Sequence, residues 1–479
     1  MPLTFIASAA CLISVSFMAL AIQGVLYTGP TTFSEGNQLH AVLRVARGDA
    51  LYLNFHQMPA IVTPYPPAMF LLDGMITRIA GLELRDTVTL TRSLTVVFTI
   101  LATVLIALLA RHDGARWILA FSAAGLFLGV RFLDGWAFTT RADLMALAMT
   151  LLAAWLLQRR PDAPAVAAAV SVIAFFTKQT MVSFPLAAVI WLVLSGRRVS
   201  ALVFATTWGI VALSGFLIGQ AVTDGNLVLN TVVAHLNPTN GFDVAIRAFL
   251  EFPKHVWLPI GLAIVGLVSR VVSTRTMSLT GWYWLIAVAF ALYTLRGRGA
   301  STNYFLEPAA LACVLAAGGF EVMSRAFGAS GIRFRFVMAS TLAAVTVWAM
   351  ISVQYWGSGG EVVSENPVII PEVINAERIL SEEPSFIVLA GKPLLVTEGF
   401  AFSQMAEAGR YDPSEVVRLI KRHYFDLIII RGDARSPRSI NGQLKWAPAI
   451  LREVADSYVV RRNRGGFWLY VPDRPRSAS

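Results

Sequence analysis

Eleven apolar runs, each close to the roughly 20 residues that carry a helix across a bilayer, constrain this chain more than any other feature. They cover about residues 3–26, 88–110, 117–133, 143–157, 164–177, 181–195, 200–220, 256–273, 280–296, 303–324 and 336–354. Hydrophobic side chains make up 56% of the sequence and charged ones 14%, against about 25% charged in soluble domains. The chain therefore reads as an α-helical polytopic membrane protein with about eleven transmembrane helices.

The net charge of +10 comes in short Lys and Arg clusters between apolar runs, as in the cytoplasmic loops of membrane proteins. It is a signature of topology and excludes nucleic acid as the expected partner. Cys11 and Cys313 both lie inside apolar runs, so neither a disulfide nor a metal-thiolate framework is indicated. The Ser8-Ala9-Ala10-Cys11 stretch has no basic segment before it and its apolar run continues to Leu26, which makes the first run an uncleaved start-anchor helix.

One segment decides the topology. Residues 69–82 (MFLLDGMITRIAGL) are apolar but short, and they carry Asp73 and Arg78. If this segment lies along the membrane surface, the connections at 111–116, 158–164, 195–198, 270–275 and 324–335 all fall on one side. Together they hold eleven basic residues, the bias expected of the cytoplasm. The N-terminus is then cytoplasmic and the long polar interval at 28–67 lies outside. From residue 355 the composition turns polar, with β-rich runs at 385–390, 426–431, 457–462 and 466–471 and a helical pattern at 413–425. That reads as a small extracytoplasmic α/β domain. The expected division is a membrane part at 1–354, with its first external loop at 27–87, and the C-terminal domain at 355–479.

Charged groups beside spanning helices are costly and therefore mark candidate sites. On the outer side the helix ends collect Glu35 and His40; Asp134, Arg141 and Asp143; Lys178 and Gln179; His235, Asn237 and Lys254; and Arg296, Arg298, Asn303, Tyr304 and Glu307. One outward cavity lined by acids and bases is the simplest expectation. For several of these residues two readings stand side by side. Lys178 either enters the site or snorkels to the headgroups. The Arg296-Gly-Arg298-Gly turn either binds phosphate or is solvated, and Arg141 with Asp143 either serves the site or forms an ion pair at a helix start. His40 and His56 have no ligand-like spacing to carboxylates and read as interfacial side chains. Glu35 follows Ser34 at the start of a helical pattern ending at Gly48, which would hold its carboxylate firmly.

The order of these features resembles the GT-C glycosyltransferases. Within them it resembles the polyprenyl-phosphate-dependent branch of protein O-mannosyltransferases and aminoarabinose transferases, grouped as glycosyltransferase family 39-like. The family's acidic motif at the start of the first external loop looks like Ser34-Glu35. Its juxtamembrane helix and "G..Y" turn look like 37–47 and Gly48 to Tyr52, and its "Y.PP" element like Tyr65-Pro66-Pro67. The second acidic site resembles Thr140-Arg141-Ala142-Asp143, and the donor-phosphate stretch resembles 296–304. Two positions depart: many members carry Asp-Glu where this chain has Ser34-Glu35, and aminoarabinose transferases carry Lys where this chain has Tyr65.

The resemblance implies inverting transfer of a sugar from a polyprenyl-phosphate donor to a lipid, glycan or protein acceptor at the outer face of a bacterial cytoplasmic membrane. Glu35 and Asp143 are the implied catalytic carboxylates. Arg141, Lys178, Gln179, Tyr65, His56, Arg296, Arg298, Asn303 and Tyr304 are the implied substrate and donor contacts. No metal-ligand set is indicated, and participation of a divalent metal is left open. The rival reading is a lipid or sugar flippase, but no repeated half with broken helices is visible in the sequence.

Overall fold

The computed structural model describes residues 2–31, 34–130, 133–236, 238–326, 370–397, 399–437, 444–464 and 466–473. The expected span at 336–354, the connection at 327–335 and Asn237 lie outside the described residues. The chain divides into two compact units. One comprises Met1–Leu26, Arg92–Leu217 and Thr239–Gly360; the other comprises Tyr27–Thr91, Ile218–Pro238 and Glu361–Ser479.

In chain order the helices up to residue 326 are α1 (Pro2–Leu26), α2 (Glu35–Arg47), α3 (Ala68–Ala80), α4 (Leu84–His112), α5 (Trp117–Leu128), α6 (Asp134–Ala137) and α7 (Ala142–Arg159). They continue with α8 (Ala165–Thr177), α9 (Ser183–Leu194), α10 (Arg198–Val222), α11 (Asn226–Thr231), α12 (Phe242–Thr274), α13 (Leu279–Thr294) and α14 (Leu306–Ala326). Among the described residues five segments are long and apolar enough to cross a membrane: Ser8–Leu26 of α1, all of α4, α7 and α10, and Val256–Thr274 of α12. Four shorter apolar helices, α5, α8, α9 and α13, accompany them. Helix α12 changes direction at Val256, whose backbone leaves the helical region (φ −138°, ψ 26°). Pro259 causes this, because it cannot donate to the preceding turn. Small residues set the close contacts of this unit. A side chain at Gly125 of α5 would begin 2.5 Å from Cβ of Ala10 in α1, the kind of approach by which helices associate in lipid.

The second unit is built on a five-stranded sheet. Its strands are β1 (Ile379–Ser381), β2 (Leu427–Asp433), β3 (Ser436–Pro437), β4 (Tyr458–Arg464) and β5 (Phe467–Pro472). The order is β1-β2-β5-β4, with β3 paired to β2, and only β1 and β2 run parallel. Alternation along β2 gives the sheet two buried faces. Ile428 and Ile430 pack with Phe55, Val62, Phe402, Trp446 and Tyr470. Leu427 and Ile429 pack with Leu39 and Leu43 of α2 and with Phe386 and Ile387. The first loop is thus part of the core of the C-terminal sheet, and edge bonds reinforce it. Ala60 N–H donates to Leu395 O at 2.8 Å and Thr397 N–H donates to Ala60 O at 3.1 Å.

The run at 385–390 is not a strand. Pro384–Leu389 is a helix, because proline occupies its first position and the Glu383 carboxylate accepts from the Ser385 amide. A cap and a first-position proline outweigh the β-branched composition of six residues. The other three β-rich runs form β2, β4 and β5.

Helix α3 has two faces. Met69, Phe70, Asp73, Gly74 and Thr77 are buried, while Leu71, Met75 and Ile79 are exposed. An exposed apolar stripe on a helix of 13 residues suits an element lying in the membrane interface. Asp73 is buried, and neither its Oδ1 nor the Thr77 hydroxyl one turn later has a hydrogen-bond partner among the described residues. Burial pushes the Asp73 carboxyl up to about 8. The folded value then exceeds the unfolded one, so folding takes up a proton there, and this group's contribution falls as pH rises from about 4 toward 8. Asp73→Asn is expected to raise thermal stability at pH 7.5 and to flatten its pH dependence across that window. Thermal unfolding in detergent between pH 5 and 9 measures both.

Candidate functional site

Three segments of the first unit bring polar side chains together at Asp143. Helix α7 begins at Ala142, after Arg141 in extended conformation (φ −149°, ψ 145°), so Asp143 stands in its first turn, where a carboxylate is favoured. Helix α8 ends at Thr177, and Lys178 is also extended (φ −150°, ψ 115°). The break turns the ammonium inward, where Nζ donates to Asp143 Oδ1 at 2.6 Å. Asn303 Nδ2 donates to the same oxygen at 2.9 Å, and Arg141 Nε donates to Oδ2 at 3.2 Å. Arg141 also lies over the Trp136 ring, 4.0 Å from its centroid, and Trp136 Nε1 donates to Thr302 Oγ1 at 3.2 Å. Lys178 Nζ is 5.0 Å from the centroid of Tyr304. Asp143, Lys178, Arg141 and Asn303 are all buried. Two buried cations meet at the Asp143 carboxylate, and the buried Glu307 carboxylate, which accepts from the Tyr283 hydroxyl at 2.5 Å, also interacts with the Lys178 charge.

In the second unit Glu35 opens α2 and is 2% exposed. Its Oε2 accepts from the Thr31 amide at 3.1 Å and from the Thr31 hydroxyl at 2.7 Å. The next amide, Gly36 N–H, donates to Ser385 Oγ at 3.0 Å. Helix α2 ends at Gly48, in left-handed conformation (φ 81°), which glycine adopts without steric cost.

No protein-family model matches the chain, and no curated protein sequence does. Solved structures match over nearly its whole length. ArnT from Cupriavidus metallidurans in the apo state aligns with a TM-score of 0.63 at 14% identity, covering 95% of this chain and 97% of ArnT. The same protein bound to undecaprenyl phosphate gives 0.62 at the same identity and coverage. The AglB oligosaccharyltransferase of Archaeoglobus fulgidus, in complex with an inhibitory peptide and a dolichol-phosphate, gives 0.56 at 12% identity over 98% of this chain and 75% of AglB. The chain has the GT-C fold.

Within this fold the remaining expected residues are placed as follows. Arg296 stacks on Phe242, 4.3 Å from its centroid, and its carbonyl accepts from Asn240 N–H at 2.7 Å. Arg298 follows in the same half-buried turn. Gln179, half-buried, begins the turn between α8 and α9. Tyr65 presents its carbonyl to the Tyr52 hydroxyl at 2.9 Å. His56 is exposed, with its ring 4.7 Å from that of Phe55. His40 lies on α2; burial first and the Arg44 charge second lower its pKa to about 4, so it is neutral at pH 7. Among the described residues no group of three His, Cys, Asp or Glu side chains is placed to hold a metal ion.

Thr31 and Ser385 escaped the sequence reading. A hydroxyl four residues before an acid carries no distinctive pattern, and Ser385 acts 349 positions from its partner.

Proposed function

We propose that the protein is a membrane glycosyltransferase moving a sugar from a polyprenyl-phosphate donor to an acceptor hydroxyl at the outer face of a bacterial cytoplasmic membrane, with inversion. The observation that carries this reading is the cluster of buried cations, Lys178 and Arg141, around Asp143, set at loop ends in a GT-C fold. Buried cations attract the donor's phosphate, and in a water-poor site they act on the charge developing on the departing phosphate far more strongly than in water. Structures of this fold bound to undecaprenyl phosphate and to dolichol-phosphate support the donor class.

In the proposed reaction the acceptor oxygen attacks the anomeric carbon while the bond to the phosphate oxygen breaks. Glu35 accepts the acceptor's proton as general base. Lys178, Arg296 and Arg298 stabilise the departing phosphate by charge-assisted hydrogen bonds. Asp143 orients Lys178 and Arg141 and, with them, positions sugar or acceptor. Asn303, Tyr304, Gln179, Tyr65 and His56 complete the donor contacts.

The test is incubation of purified full-length protein in nanodiscs with undecaprenyl phosphate linked to mannose, glucose, galactose or aminoarabinose. Release of undecaprenyl phosphate from at least one donor is expected. Absence of both turnover and binding across the whole panel would overturn the proposal.

A further inference from the structure

We infer that the C-terminal domain holds the first-loop carboxylate in register, with Ser385 as a positioning residue that acts on Glu35 through the first turn of α2. This rests on the base role proposed for Glu35. A helix start normally receives a side-chain oxygen from its own N-cap residue. Here Ser34 occupies that position and makes no side-chain cap bond. The oxygen comes instead from Ser385, which accepts from Gly36 N–H at 3.0 Å.

The docking is backbone against backbone. A Cβ on Gly36 would lie 2.3 Å from the Ser385 nitrogen and 2.6 Å from its Cα, so only glycine allows the approach. The segment presenting Ser385 is itself fastened. Ser381 Oγ donates to the Glu383 carbonyl at 2.9 Å and accepts from the Glu383 amide at 3.0 Å. The Glu383 carboxylate accepts from the Ser385 amide at 3.2 Å. Glu382 pairs with Lys445 at 3.2 Å and accepts from the Arg431 amide at 2.9 Å. Leu39 and Leu43, further along α2, pack on Phe386 and Ile387.

Glu35 is thus clamped twice, through its carboxylate by Thr31 and through the following amide by Ser385. A general base displaced by about 1 Å loses on the order of 10²-fold in rate. In this arrangement the C-terminal domain is part of the catalytic apparatus and not an appended acceptor module.

The experiment compares Ser385→Ala, Ser385→Thr, Glu35→Gln and the Glu35→Gln/Ser385→Ala double variant, all full length in nanodiscs with the same undecaprenyl-phosphate sugar panel. Ser385→Ala is expected to lower kcat roughly 10- to 100-fold with KM changed less than about threefold. Ser385→Thr, which keeps the hydroxyl, restores most of the rate, and the double variant is no slower than Glu35→Gln. Hydrogen exchange needs no substrate, and Ser385→Ala is expected to accelerate exchange at Gly36. Unchanged exchange, wild-type kcat in Ser385→Ala, or an added loss in the double variant would each overturn the positioning role. Full turnover by Glu35→Gln would remove the base role and this inference with it. An inactive Glu35→Gln beside a fully active Ser385→Ala removes only the inference.

Discussion

Glu35→Gln is expected to reduce sugar transfer by about 10²- to 10⁴-fold, the span a positioned general base contributes, while leaving donor binding within a few-fold of wild type. Glutamine keeps the volume and one oxygen acceptor, so the hydrogen bonds from the Thr31 amide and hydroxyl still have a partner. What disappears is the capacity to take up a proton. Single-turnover transfer and donor binding, measured on the same preparation, separate the two effects. Transfer at the wild-type rate would remove Glu35 from the mechanism.

The second large effect is expected at Asp143. Replacing it by Ala leaves the Lys178 ammonium and the Arg141 guanidinium buried, with side chains 3% and 7% exposed, and without the Asp143 carboxylate. Stranding one member of a buried ion pair costs about 3–5 kcal/mol, so Asp143→Ala is expected to lower thermal stability strongly and to abolish transfer. Asp143→Leu combined with Lys178→Met removes a charge of each sign, and it is expected to be more stable than Asp143→Ala because contacting residues combine non-additively. Thermal unfolding of the single and double variants provides the comparison. A double variant as unstable as the single one would show that the cluster's charge balance contributes little to folding.

Much of this architecture was legible because membrane helices announce themselves. A run such as 88–110 has one stable fate in hydrocarbon, the helix, since its backbone must satisfy its own hydrogen bonds, and α4 covers it. The residues that meet at Asp143 were legible for a related reason. Arg141, Asp143, Lys178 and Asn303 interrupt or border apolar runs, where a charge is retained only with a partner. The Arg141–Asp143 pair was readable as an ion pair at a helix start, but that Lys178 and Asn303 join it was not. Asp143 and Asn303 stand 160 residues apart, and nothing local to either names the other. The helix at Pro384–Leu389 shows the opposite failure. Its composition favours a strand, while one carboxylate cap and one proline set it as a helix.

By itself the sequence determined that the chain enters a membrane many times, where its polar interruptions fall, and that a strand-bearing segment follows, because hydropathy and periodicity are local properties that survive any arrangement of neighbours. Only the tertiary structure decided that residues 27–91 share a compact unit with the C-terminal sheet, that Lys178 and Arg141 converge on one carboxylate, and that the cap on the Glu35 helix comes from Ser385. Those outcomes depend on side chains distant in sequence meeting at hydrogen-bond range, a requirement that no single segment encodes.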